Sequence, residues 1–232
     1  NADYNDVFID MQESQTLEES PLFLRTRFVK IDFDRFTDKI RMKLFDDAIF
    51  EVDLEDKIFP VRKTWMPKTA RYYWTGRIKG KPKFWQSEVL LVINPVEKIV
   101  SGSVSVDGKY FVVSPLKNGL HSIREINTTI QFSEKVFLPT ESSDLVKAPR
   151  EKPKVADGNT VEVLVAYTDD ARVTAGGTAQ IKENIEKLIL ETNTGYQNSE
   201  VTQQVYSIHS MEVNYEETGD LKKDLDRLIN PK

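Results

Sequence analysis

The sequence predicts an α+β protein: an antiparallel β domain (a sandwich or open barrel wound as a meander), a polar connector, and a smaller α/β unit in β-α-β-α order. Three observations carry this. Between Pro21 and about Phe137, short runs alternate apolar and polar residues at period two and are separated by turn dipeptides. From Thr160 the pattern changes to one continuous apolar strand followed by apolar residues at helical spacing. Between these lies TESSDLVKAPREKPKVADGN, which is polar, holds two prolines and a glycine, and has no apolar period. The division is therefore a β-rich domain over 1–139, an exposed linker over 140–159 and an α/β unit over 160–232.

The first twenty residues are polar and acidic, with one apolar patch at Val7-Phe8-Ile9 that reads as a short strand or a loose arm. Ile40, Met42 and Leu44 alternate with Lys39, Arg41 and Lys43, giving one apolar and one basic face. Phe50, Val52 and Leu54 alternate with Glu51 and Asp53, so Asp46-Asp47 is placed to turn a hairpin between the two runs. ARYYWTGRIKG, EVLLVINP, IVSGSVSVDGKYFVVSP and GLHSIREI continue the β pattern. Asp107-Gly108 is the strongest hairpin signal, and Asn94-Pro95 and Asn118-Gly119 mark further turns.

After the linker, TVEVLVAYT has the apolar continuity of a strand covered on both faces. Asp169-Asp170 can cap a helix start, and Gly176-Gly177 interrupts the helix or marks its beginning, with Thr178 as N-cap candidate. Ile181, Ile185, Leu188, Ile189, Thr192 and Tyr196 make one stripe, with the pair Glu183 and Lys187 on the outer face. QQVYSIHSMEVNY alternates through Val205, His209, Met211, Val213 and Tyr215 as a second strand. Gly219-Asp220 opens a last helix with Leu221, Leu225, Leu228 and Ile229 as its stripe, ended by Asn230-Pro231. Two strands and two helices bury little on their own, so the α/β unit is expected to continue past Lys232.

Composition narrows the function. The 232 residues are 39% hydrophobic and 30% charged, ordinary for a globular protein. No apolar run reaches the roughly 20 residues of a membrane helix, and the acidic C-terminal part, with seven basic against thirteen acidic residues from Asn159 onward, argues against nucleic acid. The absence of cysteine removes disulfides, thiolate catalysis and thiolate zinc ligands. There is no GxSxG, no phosphate-loop glycine pattern and no calcium-loop order in the acidic cluster from Glu212 to Asp226, which reads as a solvated face. The only histidines, His121 and His209, stand in separate segments, and His209 reads as packed on a half-buried strand face. Trp65, Tyr72, Tyr73, Trp74, Phe84 and Trp85 form either a core with its rim or a platform for sugars or peptides.

Several pieces resemble a known family. VLVAYTDDAR, AGGTAQIKENIEKLILETNTGYQNS, the strand ending EVNYEETGDL and DLDRL are similar to the opening of the catalytic domain of secreted reprolysin-like zinc metallopeptidases, in the metzincin group. In the β-rich part, Trp74-Thr75-Gly76, Ser101-Gly102-Ser103, Pro115-Leu116 and His121 resemble the pro-region of exported members. The resemblance implies the front portion of a zymogen, whose pro-domain assists folding and latency. The complete parent would be an exported metalloendopeptidase, secreted or periplasmic with its signal peptide removed. It would bind catalytic zinc and act on proteins or peptides through zinc-activated water with a glutamate base. The HExxHxxGxxH element of such enzymes is absent, so this chain is expected to bind no zinc, to hold no catalytic residue and to be inactive by itself. Its expected partner is the remainder of its own catalytic domain. Arg150, Lys152 and Lys154 mark a processing region in the linker, and His121 is the candidate latency residue, able to reach a metal on the enzyme part. The competing reading is a non-catalytic β-sandwich adhesion or inhibitor module.

Overall fold

The computed structural model describes residues 5–11, 20–58, 71–81, 87–130 and 159–229. Among the described residues, twelve strands and three α-helices follow one another along the chain. The β-rich part contributes β1 (Asn5–Asp6), β2 (Phe8–Asp10), β3 (Phe23–Ile31), β4 (Lys39–Phe45), β5 (Ala48–Ile58), β6 (Tyr72–Ile78), β7 (Ser87–Asn94), β8 (Ile99–Val106), β9 (Lys109–Pro115) and β10 (Leu120–Ile126). The α/β part contributes β11 (Thr160–Tyr167), α1 (Asp169–Thr174), α2 (Thr178–Asn198), β12 (Gln204–Glu212) and α3 (Leu221–Ile229).

The first ten strands form one sheet in the order β1-β4-β5-β6-β7-β8-β9-β10-β3-β2. From β4 to β10 it is an antiparallel meander. Its two edge strands are consecutive pieces of the same N-terminal stretch. The Val7 N–H donates to the Arg41 carbonyl (3.2 Å), and the Val7 carbonyl accepts from the Asp32 N–H (3.0 Å). The sheet thereby curls round and nearly closes on itself through Val7. Of the two expected architectures, a sandwich or an open barrel, the β-rich part takes the second, as one nearly closed sheet. Of the short strand or loose arm expected at Val7-Phe8-Ile9 it takes the strand, which closes that sheet. Among the described residues, this near-closure leaves the sheet no long open edge to pair with another chain.

The interior follows from strict alternation. Ile40, Met42 and Leu44 on β4 are fully buried, as are Val52 on β5 and Val89, Leu91 and Ile93 on β7. Asp107-Gly108 forms the β8–β9 turn with both residues at positive φ, 51° and 76°, the geometry of a two-residue hairpin that matches strand twist. Two motif glycines are explained by close approach. A Cβ on Gly76 would stand 2.3 Å from the ring of Trp74, itself buried in the core, and one on Gly102 would stand 2.4 Å from the Leu90 carbonyl oxygen.

β11 and β12 pair in parallel, connected through α1 and α2, as a βαβ unit. Val205 pairs with Val161 and Ser207 with Val163; a bulge at Ile208 then sets His209 opposite Leu164 and Met211 opposite Ala166. One face of this pair meets α2, where Tyr167, Ile181 and Ile185 make a small core. The other face is uncovered among the described residues. Leu164 is 57% exposed and Met211 41%, so the expectation of a strand covered on both sides fails here.

Candidate functional site

The polar seam between α2 and the outer face of the β-rich sheet is the candidate functional site. It is built mainly by β6, β7 and β8. On β7, Val89, Leu91 and Ile93 point inward, so Leu90 and Val92 point outward; the whole LLVI run is buried because α2 lies over it. Leu190 of α2 packs on Leu90 and Val92, with Tyr73 beside them.

Around this apolar contact the bonds are polar. The Arg71 guanidinium donates to Glu183 through Nε to Oε2 (2.8 Å) and through Nη2 to Oε1 (2.7 Å). Its Nη1 lies 2.8 Å from Oε1 of Glu186. The Asn94 amide donates to Glu183 Oε1 (2.8 Å), the Tyr73 hydroxyl to Glu186 Oε2 (2.8 Å), and Ser101 Oγ to Asn184 Oδ1 (2.8 Å). Further along the helix the Tyr110 hydroxyl donates to Glu191 Oε1 (3.0 Å). Arg71 and Glu183 are both buried, the glutamate side chain to 2% exposure. Burial works against the Arg71 charge, but Glu183 and Glu186 outweigh it and hold its pKa above the ordinary arginine value.

At the start of α2, motifs from the two halves meet. Gly176 lies against the Leu116 backbone: a Cβ there would be 3.3 Å from the Leu116 carbonyl carbon. The Gln180 amide donates to the Leu116 carbonyl oxygen (3.4 Å). Gly177 is the N-cap of α2, with φ 138°, and Thr178 is the first helical residue rather than the cap. Likewise Thr168, accepting from the Ala171 N–H, caps α1, and Asp169 and Asp170 fall in its first turn. At the other end of α2 a cavity of about 190 Å³ opens among Glu88, Ser103, Tyr110, Glu191 and Asn198. Desolvation pushes Tyr110 up to about 12, with Glu191 adding to it, and raises Glu88.

The structure places the residues singled out in the sequence at separate points. His121 lies on β10 and is 1% exposed; its Nε2 accepts from the Val100 N–H (3.0 Å). Burial lowers its pKa to about 4, with the Gly119 backbone partly opposing. In this arrangement it is a neutral core histidine bonded to the barrel backbone. Arg150, Lys152 and Lys154 lie outside the described residues, as do Trp65, Phe84 and Trp85. Tyr72 and Trp74 are buried in the core, and Tyr73 belongs to the seam. His209 is exposed on the uncovered face of β12 rather than half-buried. Among the described residues no group of three or more His, Cys, Asp or Glu is placed to hold a metal ion. The catalytic zinc that the resemblance implies therefore finds no fitting donor set among them. The acidic cluster is largely exposed, as expected of a solvated face, and three of its residues also pair within the chain: Glu212 with Arg172 (3.0 Å), Glu217 accepting from Thr168, and Asp224 accepting from Tyr215 (2.8 Å).

Sequence reasoning misses Arg71 and misplaces Glu183, which it pairs with Lys187 on a solvated face. Lys187 instead pairs with Glu191 (3.4 Å), and Leu188, expected in the buried stripe, is 58% exposed. The helix has two buried faces at once, one apolar toward β11 and β12 and one largely polar toward the β-rich sheet. The spacing of Glu183, Glu186, Leu190 and Glu191 is the available signal, together with an LLVI run too apolar for a strand with a wet face.

No protein-family model matches this chain, and no curated protein and no solved structure matches it. No helix among the described residues is long and apolar enough to cross a membrane.

Proposed function

We propose that this chain is the front portion of a zymogen of an exported zinc metalloendopeptidase: a pro-domain barrel followed by the first elements of a catalytic α/β domain. The observation that carries the reading is the seam on α2. The barrel grips the first long helix of the α/β unit with Arg71, Asn94 and Ser101, while the opposite face of β11–β12, which carries Leu164 and Met211 beside His209, is uncovered among the described residues. A pro-domain that assists folding needs such a grip, because two parallel strands with few covering elements are marginal by themselves. The resemblance of Pro115-Leu116 and Gly176-Gly177 to elements on either side of a zymogen linker gains support from their meeting at the start of α2.

The zinc ligands and the glutamate base of such an enzyme are absent from this sequence, so no step of peptide hydrolysis is assigned to its residues. The role assigned to them is to hold α2 and, through it, the strand pair on which the rest of a catalytic domain would be laid. The test is the polypeptide encoded by the source gene, including any residues beyond Lys232, purified and assayed for peptide hydrolysis before and after cleavage within 140–159. Chelator-sensitive activity that rises on cleavage is expected. A product without chelator-sensitive activity overturns the peptidase reading, and equal activity before and after cleavage overturns latency.

A second reading, a non-catalytic binding module, has one observation in its favour: among the described residues the barrel nearly closes through Val7 on a core of its own and takes no strand from the α/β part. Inactivity of the encoded product, together with cooperative unfolding of all 232 residues as one unit, would favour it.

A further inference from the structure

The seam holds α2 by chemistry that is specific and self-contained. All three guanidinium nitrogens of Arg71 are engaged, two on Glu183 and one on Glu186. Such a fork reads two carboxylates one helical turn apart, which the point charge of a lysine would not. Asn94 adds a third bond to Glu183, Ser101 reads Asn184, and Tyr110 reads Glu191. Leu190 is the apolar anchor among them. Every one of these contacts joins residues more than 80 positions apart in sequence, such as Tyr110 with Glu191 at 81 and Arg71 with Glu183 at 112. None depends on the chain that connects the two parts.

We infer that this barrel face is a separable helix-binding site. It holds α2 without covalent help, so the two parts stay together after the chain is cut within 140–157. Its partner class is an acidic amphipathic helix presenting Glu-Asn-x-Glu-x-x-x-Leu-Glu along one side, as residues 183–191 do. Recognition is cooperative, because removing one member leaves buried charge or a buried acceptor unpaired. Arg71 is the positioning residue that sets the strength of the complex. Such a clamp serves a peptidase or any other α/β domain alike, so its failure leaves the metallopeptidase proposal to its own test.

The experiment uses the full 232-residue chain with a recognition sequence for a specific protease inserted within 140–157. The chain is cut and examined by size exclusion and by serial dilution of the fluorescently labelled cut protein. The two parts are expected to co-elute at micromolar concentration. Arg71→Lys keeps the charge and loses the fork; Glu183→Gln keeps the shape and loses the charge. Each is expected to weaken the cut complex by about a hundredfold. The circular dichroism of each uncut variant should match the wild type. Wild-type parts that separate on cutting overturn the inference whatever the variants do, and variants that stay together as tightly as the wild type overturn the role of Arg71.

Discussion

His121 makes the barrel acid-sensitive in a way that can be measured. The imidazole is 1% exposed, and its Nε2 accepts the Val100 N–H at 3.0 Å, so a proton there would replace a hydrogen bond with two opposed N–H groups. Burial lowers the folded pKa from 6.5 to about 4. A base with a depressed folded pKa carries fewer protons folded than unfolded. Its contribution is complete above the unfolded value and is lost as pH falls from about 6.5 toward about 4. At 1.36 kcal/mol per unit, the loss between about pH 7 and about pH 4.5 comes to about 2.5 kcal/mol from this residue alone. The assay is urea unfolding followed by the near-ultraviolet aromatic signal, to which Trp74 in the buried core contributes, for the wild type and His121→Gln at both pH values. Glutamine is neutral throughout and its carbonyl can accept the same N–H, so the variant should lack this increment of acid sensitivity. Subtracting the two proteins removes the carboxylates with lowered pKa, such as Asp10 beside Arg27 and Asp47 beside Arg25. An acid loss in the variant as steep as in the wild type would refute the reasoning.

Other expectations rest on single contacts. Gly102→Ala puts a Cβ 2.4 Å from the Leu90 carbonyl oxygen, and a backbone neighbour yields poorly; denaturant titration should show a loss of about 1–3 kcal/mol or no folded protein. Leu190→Ala empties the apolar anchor against Leu90 and Val92 and should cost about 2–3 kcal/mol, seen as earlier unfolding of the helical signal; an unchanged transition would mean the helix is held by polar contacts alone. The Asn193 side chain donates to the Val205 carbonyl (2.9 Å) and accepts from the Val205 N–H (2.7 Å), tying α2 to the start of β12. Asn193→Ala should cost about 1–2 kcal/mol and speed amide exchange at Val205, while exchange as slow as in the wild type would show the bridge to be redundant.

Much of the barrel was legible because period-two alternation is a local consequence of pleating. Ile40, Met42 and Leu44 could face only one way, and Asp107-Gly108 could turn only one kind of hairpin. Closure was not legible. Val7 carries no signal of which strands it bridges, because the Arg41 carbonyl and the Asp32 N–H it meets are backbone groups identical in every residue. The candidate site was legible only in fragments. Ile181, Ile185 and Ile189 announced the apolar face of α2, whereas its second buried face is made of glutamates, which hydrophobic periodicity counts as solvated. The pairing of Arg71 with Glu183 spans 112 residues, and nothing local to either one selects the other. By itself the sequence determined the strands, the turns, the helix and its apolar stripe, since these depend on neighbours a few residues away. Tertiary structure alone decided that the sheet curls shut, that one arginine becomes a buried clamp, and that Leu164 and Met211 stay bare, because burial of charge and exposure of apolar surface are set by which distant surfaces come to lie together.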